Sequence, residues 1–436
     1  MSYMIACLGV LVLVGIAVLF SENRKHINLR LVGTAFALQA LFAALVLVVP
    51  FGKAMLTGAA GGVQNIVDYA NVGIEFLFGP LASDTNTFIA WPISTNADGT
   101  VSQPLSQGRT TFIIAFRVLP AIVFVSSLVG VLYHLRVMQL LVITLGSALR
   151  KIIGISRVES LCASANIFIG MVESPLVIRP YLPTLTHAQL FTVMGVGLST
   201  SAGATLIAYA SILGPDSVES LVAAAFMAAP GGLLMAKLLV PDEPDALGED
   251  ANPVAAQDND DEKPVNVLEA AADGAMSGLR VAAAVAAMLL SFTALLAMLN
   301  GIVGGIAGWF GFEAFTLETL LGWLFAPIAF VIGIPWDEAP IVGNLLGQKI
   351  VLNEVIAFAK LAQVGDALDP KSYIIAVYAI CGFANLAATA VILGGLGTLL
   401  PARKSEIARF GLKAVLCGAL ANLMSAAIAS ILLSFQ

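Results

Sequence analysis

Two glutamates stand in segments whose neighbours are almost all apolar. Glu173 follows Asn166-Ile167-Phe168-Ile169-Gly170-Met171-Val172 and precedes Ser174-Pro175, and Glu354 closes Lys349-Ile350-Val351-Leu352-Asn353-Glu354. A carboxylate at mid-membrane depth costs roughly 2.5–3.5 kcal/mol, so such residues default to a functional role. Each also has a plainer reading, as a cap on helix amides or as the partner of Arg179 or Lys349. Asn385 lies beside Gly382 in an apolar run and could hydrogen-bond a ligand or only cross-link helices. Thr200 and Ser201 precede Gly203, where a helix break would free carbonyls. Hydroxyl, amide and carbonyl oxygens together suit a small hard cation. The competing reading is hydroxyls bonding back to their own helix.

Enzyme chemistry finds no support. The chain has no HExxH, GxSxG, Walker A or GxGxxG motif, and His26, His134 and His187 are far apart. Of 436 residues, 59% are apolar and 11% charged, against about 25% charged in soluble proteins, with a mean hydropathy of +0.94. Apolar runs at Tyr3–Phe20, Leu31–Val49, Thr111–Leu132, Val281–Leu299 and Ala414–Leu433 approach or reach bilayer length, and only Arg117 places a charge in them. The net charge of −7 and the lack of a basic, aromatic-studded patch argue against nucleic acid. Cys7, Cys162, Cys381 and Cys417 sit in apolar runs without a CxxC pair and read as packing residues.

The elements that must position the glutamates follow from hydropathy. Tyr3–Phe20 has no basic stretch before it, which argues against a cleaved signal peptide. Arg24, Lys25, His26 and Arg30 follow it and place the first loop in the cytoplasm. Gly61–Leu81 carries Val63, Ile66, Val67, Ala70, Ile74 and Leu77 on one face, as an interfacial amphipathic helix does. Ala82–Gly108 reads as an exposed loop and Pro241–Pro264, rich in Asp and Glu, as a mobile linker.

The linker separates two stretches of one design, about Met138–Val240 and Leu320–Phe435. Each opens on an apolar segment. Each continues with a segment too broken to span simply, Ser156–Pro183 or Trp336–Lys360, carrying one of the two glutamates. Each then has a helix interrupted by small and polar residues, at 197–203 or 381–389, and closes on an apolar helix. Counting crossings gives the two copies opposite orientations and puts Arg403, Lys404, Arg409 and Lys413 inside. Paired broken segments in two inverted halves point to a transporter site. A channel would need a continuous polar stripe, and the sequence shows isolated polar breaks.

The chain resembles the concentrative nucleoside transporter family at Asn23-Arg24-Lys25, Phe116-Arg117-Val118-Leu119-Pro120, Asn166–Pro180, Gly347–Phe358 and Tyr378–Gly397. The resemblance implies an all-α integral membrane protein of about eight transmembrane helices plus two re-entrant hairpins in an inverted repeat, working as an elevator and assembling as a homotrimer among membrane lipids. It divides the chain into scaffold helices with an interfacial helix (1–137), a first transport repeat (138–240), the acidic linker (241–264), a scaffold helix and an extracellular helix (265–319) and a second transport repeat (320–436). It implies import of nucleosides with sodium across a bacterial inner membrane. Glu173 with Met171, Val172 and Thr205 would face the nucleobase, and Glu354, Asn385, Phe383 and Ala388 the ribose. Sodium would lie among Asn166, the Ile169 carbonyl, the Thr200 hydroxyl and the Ser201 carbonyl. Relatives usually carry Gln then Thr or Ser where Met171 and Val172 stand here, and Ser in place of Ala388. Those three losses leave open a different small solute as cargo, and the two glutamates leave open proton coupling.

Overall fold

The computed structural model describes residues 2–79, 113–243, 264–309 and 316–435, so the expected loop 82–108 and most of the acidic linker lie outside the described residues. Among the described residues every regular element is helical. In chain order they are α1 (Ser2–Leu19), α2 (Leu29–Leu47), α3 (Pro50–Phe78), α4 (Ile114–His134), α5 (Val137–Ile153), α6 (Arg157–Asn166), a 3-10 segment (Ser174–Thr184), α7 (His187–Ser199), α8 (Gly203–Leu213) and α9 (Val218–Leu239). There follow α10 (Val267–Trp309), α11 (Leu317–Val331), α12 (Ala339–Val351), α13 (Glu354–Val364), α14 (Pro370–Ile380), α15 (Leu386–Leu399) and α16 (Lys404–Leu433).

Burial sorts these helices into an inner and an outer set. The apolar runs through α7–α8, α9 and α16 are 89%, 94% and 83% buried, whereas those of α2, α4 and α10 are 28%, 22% and 11% buried. The inner helices are apolar all round, as helices enclosed by other helices must be. They pack on one another, and α1 and α2 lie against α9 and α16. The outer α4 and α10 pair closely because Gly278 has no side chain: a Cβ there would come within 2.7 Å of Ser126 Cβ and 2.8 Å of Val123 Cα. Small residues at membrane helix contacts serve this purpose.

One helix starts earlier than the sequence reading has it. The helix expected to lie in the interface begins at Pro50 and not at Gly61, with Pro50 at its first turn, where a missing N–H costs nothing. Glycines at 52, 58, 61 and 62 lower local helix propensity and hide that start. In the stretch 265–319, expected to hold a scaffold helix and an extracellular helix, the described residues form α10, 43 residues long, and the first residues of α11. At the start of the expected linker Asp242 is anchored: Lys237 Nζ donates to its Oδ1 and Oδ2 at 2.6 and 2.7 Å.

The same lysine meets Glu159 Oε1 at 2.6 Å, and both side chains are 3% exposed. Glu159 also completes a capping box with Ser156, which starts α6. A second network ties three chain segments together at the ends of α1, α7 and α16. His187 Nδ1 lies 2.7 Å from Glu406 Oε1 and Nε2 lies 3.1 Å from Glu22 Oε2, while Lys413 Nζ donates to Glu22 Oε1 at 2.7 Å. Partial burial works to raise the Glu22 carboxyl, but hydrogen bonds from Lys413 and His187 prevail and hold it below the usual carboxylate range.

Two expectations follow. Lys237→Met strands a buried carboxylate and should destabilise the fold by about 3–5 kcal/mol, read by thermal unfolding in detergent. Adding Glu159→Gln, which keeps the cap, should recover most of that loss. Glu22→Gln should cost less than about 1 kcal/mol at neutral pH, because the pair is largely solvated. A depressed carboxyl contributes only above its unfolded-state pKa and loses that contribution as pH falls through the folded one. Melting curves of Glu22→Gln and the parent chain should therefore converge in acid.

Candidate functional site

Hairpin one is α6, a tip at 167–173, and the 3-10 limb that follows. That limb cannot be a regular α-helix because Pro180 and Pro183, inside it, each lack an N–H. Glu173 precedes it, half-buried, and its carboxylate folds back over Gly170. Any side chain at 170 would collide with Glu173 Oε2. The Glu173 amide donates to Gly170 O at 3.2 Å, which closes the turn. Arg179, the plain partner considered from sequence, is exposed, and no ion pair joins it to Glu173.

Hairpin two is α12, a tip at Leu352 and Asn353, and α13. Asn353 caps α13 by accepting from the Ile356 amide at 2.9 Å, which places Glu354 at the helix's first position. Both carboxylate oxygens are held. Oε1 accepts from the Tyr209 hydroxyl at 3.0 Å and Oε2 from Asn385 Nδ2 at 2.8 Å. Asn385 is itself fixed as the cap of α15, its Oδ1 accepting from the Ala388 amide at 2.7 Å. The two donors fix the orientation of the carboxylate. Lys349 donates to Ala379 O and Asn422 Oδ1, and no hydrogen bond joins it to Glu354.

The two breaks expected in the inner helices are present and they cross. α7 stops at Ser199 and α8 restarts at Gly203; α14 stops at Ile380 and α15 restarts at Leu386. The Phe383 amide donates to Thr200 O at 3.2 Å, and the Gly203 amide to Phe168 O, in the first hairpin tip, at 3.0 Å. Gly382 adopts φ +146°, and a Cβ there would meet Ser199 O and Asn422 Oδ1 at 2.5 Å. Only glycine tolerates both conditions.

Beside the first break, Asn166 Nδ2 donates to Cys162 O at 3.1 Å, while Asn166 Oδ1 is buried without a partner. The Oδ1 lies against the last turn of α7, 3.8 Å from where a Cβ on Gly197 would stand. The Thr200 hydroxyl donates to Val196 O and Gly197 O, the back-bonding considered from sequence, which leaves its lone pairs to accept. Among the described residues no group of three His, Cys, Asp or Glu could hold a metal. The oxygens available here are neutral, which fits a monovalent cation better than a divalent one.

A cavity of about 610 Å³ opens among these parts, within the usual range for small-molecule sites. Met171, Val172, Glu173, Thr205, Glu354, Phe383, Asn385 and Ala388 all line it, so the structure gathers every residue singled out on the substrate side. Ile169 reaches it too, while Asn166, Thr200 and Ser201 lie behind its wall. Met171 and Val172 also seat the tip. A Cβ on Gly197 would come within 3.1 Å of Met171 Cβ, and one on Gly395 within 2.7 Å of Val172 Cγ1. Thr205 Oγ1 is committed to Ala202 O at 2.7 Å.

Sequence reasoning missed Tyr209, which holds Glu354 and stacks on Phe358 at 4.4 Å. A lone tyrosine in the interior of the apolar helix after the break was its signal. Tyr133 was missed as well: it lines the cavity from α4, and its buried hydroxyl has no partner.

Comparison with known proteins agrees with this geometry. Residues 8–81 match the N-terminal and 220–430 the C-terminal model of Na+ dependent nucleoside transporters, and residues 115–216 match a nucleoside recognition (Gate) model. The chain is 42% identical to the nucleoside permease NupC of Helicobacter pylori over 440 residues, covering 100% of this chain and 99% of the permease. It is 40% identical to the putative nucleoside permease NupX of Escherichia coli, covering 98% of both. The solved structure of CNTnw in an inward-facing substrate-bound state superposes with a TM-score of 0.89 at 45% identity, covering 100% of this chain and 99% of that one. With its two hairpins, crossed helix breaks and mostly apolar cavity holding a few polar groups, the chain belongs to the concentrative nucleoside transporter family: it is a membrane transporter of nucleosides and not an enzyme.

Proposed function

We propose that the chain imports nucleosides into a bacterial cell across the inner membrane by symport with sodium. The observation that carries the choice of ion is Asn166 Oδ1, buried and unpartnered against the C-terminal turn of α7. A buried acceptor without a donor is costly, and the negative end of a helix adds to its appetite for a cation. Sodium held by Asn166, the Ile169 carbonyl, the Thr200 hydroxyl and the Ser201 carbonyl would satisfy it and order the tip that carries Glu173. Proton carriage by Glu173 or Glu354 is the alternative reading, and uptake that persists without sodium but follows a pH gradient would favour it.

The nucleoside sits in the cavity with its base toward Glu173 and Thr205 and its ribose toward Glu354, Asn385 and Phe383. The protein works as a homotrimer in which α4 and α10 belong to a fixed scaffold and the hairpins move with the inner helices. α4 and α10 pair closely at Gly278 and are the least buried of the long apolar helices among the described residues, which supports a place outside the moving core.

Coupling is tested by uptake into proteoliposomes. One charge at about 100 mV supplies about 2.3 kcal/mol. A roughly tenfold sodium gradient adds about 1.4 kcal/mol, and together they sustain accumulation on the order of several hundredfold. Replacing sodium by choline on both sides should abolish accumulation, and unchanged uptake would refute the reading. Asn166→Ala should also lose the thermal stabilisation that sodium gives the parent protein.

Cargo selection is tested at the tip. Met171, Val172 and Ala388 offer no side-chain hydrogen bond, and each unpaired polar group on a buried ligand costs roughly 1–3 kcal/mol. Uridine should bind poorly, with bases of larger apolar face losing less. Replacing all three (M171Q, V172T and A388S) should tighten uridine binding in calorimetry by about tenfold or more, about 1.4 kcal/mol. An unchanged affinity would mean that Met171 and Val172 only seat the tip against Gly197 and Gly395.

A further inference from the structure

Tyr133 stands at the last but one position of α4, an outer helix, yet it lines the cavity together with Met171 and Glu173 of hairpin one. Its backbone is fixed. The carbonyl accepts from the Arg136 amide at 3.0 Å and from Gln139 Nε2 at 2.9 Å, which closes the turn from α4 into α5. Its ring packs with Phe168 and Val177 of hairpin one around a cluster that includes Ala165 and Ile169. The hydroxyl at the end of that ring is buried and has no hydrogen-bond partner among the described residues. A buried tyrosine hydroxyl normally finds a partner, and leaving one unpaired is costly.

Two other hydroxyls of the cavity are committed: Tyr209 donates to Glu354 Oε1 and Thr205 to Ala202 O. The tip of hairpin one supplies no donor side chain, because Met171 and Val172 are apolar and an ionised Glu173 can only accept. A nucleobase carries carbonyl oxygens or ring nitrogens that need a donor once they leave water. On the hairpin-one side of the cavity the Tyr133 hydroxyl is the uncommitted side-chain donor. The residue already forms part of the cavity wall, and a side-chain adjustment, common when a partner binds, brings its hydroxyl to the base.

We infer that Tyr133 is a cargo-selecting residue whose hydroxyl donates to an acceptor atom of the nucleobase, from the outer-helix side of a site otherwise built on hairpins and broken helices. The inference rests on the reading above that the base lies at the Glu173 tip, and adds to it a donor contributed by α4. Because the hydroxyl has no partner within the described chain, removing it should cost the fold nothing and a nucleoside complex one hydrogen bond.

Tyr133→Phe keeps the ring and its packing. Without nucleoside, its melting temperature in detergent should equal or exceed the parent's. Adenosine should bind it about tenfold more weakly in calorimetry. A riboside with a phenyl ring in place of the base offers no acceptor there, and should compete for the site equally well on parent and variant. Unchanged adenosine affinity overturns the inference. So does a lower melting temperature without nucleoside, which would show that the hydroxyl serves the fold. An equal loss on both ribosides also overturns it, by placing the contact off the base. Glu173→Gln tests the underlying reading separately, and should weaken adenosine while sparing the phenyl riboside. If it changes neither riboside while Tyr133→Phe weakens adenosine alone, the base does not face Glu173, and the donor on α4 stands.

Discussion

The hydrogen bond from the Phe383 amide to Thr200 O joins two broken helices that belong to different halves of the chain. A helix break inside an apolar core frees backbone donors and acceptors that lipid cannot satisfy. Here each half supplies what the other lacks. Gly203 adds a bond to the first hairpin tip, Asn422 bridges Ser199 O to Lys349, and Gly382 gives up its side chain so that these atoms can meet. The cavity exists because this crossing props four helix ends apart at one depth. Glu354 and Asn385 then fix one another as caps that start α13 and α15.

Much of this was legible in the sequence, and for physical reasons. Burying a glutamate among apolar residues is expensive, so Glu173 and Glu354 announced themselves. Glycine and polar residues inside long apolar runs marked the breaks at 200–203 and 381–385. The start of α3 was hidden because its first turns carry glycines whose low propensity is overridden by packing. The role of Tyr209 was hidden because a tyrosine in a core reads equally well as packing, and only three dimensions bring its hydroxyl to Glu354, 145 positions away. Lys349 entered the sequence reading only as the plainer alternative partner of Glu354. Spacing suggested Glu354, five residues on, whereas α12 turns the ammonium toward Ala379 and Asn422.

The two repeats share an order of elements but not a chemistry. Hairpin one has a proline-stiffened 3-10 limb and a neutral oxygen at the end of α6; hairpin two has a regular helix and a lysine. The second tip is locked by side-chain hydrogen bonds, Asn353 to Ile356 and Glu354 to Tyr209 and Asn385. The first is held by its Gly203 backbone bond and by the packing of Met171 and Val172 against glycines. Side-chain hydrogen bonds have stricter geometry than apolar contacts, so the second tip is the more firmly specified of the two.

The crossing also sets an order of assembly. Thr200 is made long before Phe383, with about 180 residues between them. At a synthesis rate of about 5–20 residues per second, the first break waits roughly 10–40 s for its partner strand to leave the ribosome. During that interval the Thr200 carbonyl lacks the amide that it meets in the finished fold. A truncation anywhere before residue 383 therefore leaves the N-terminal half permanently in that state.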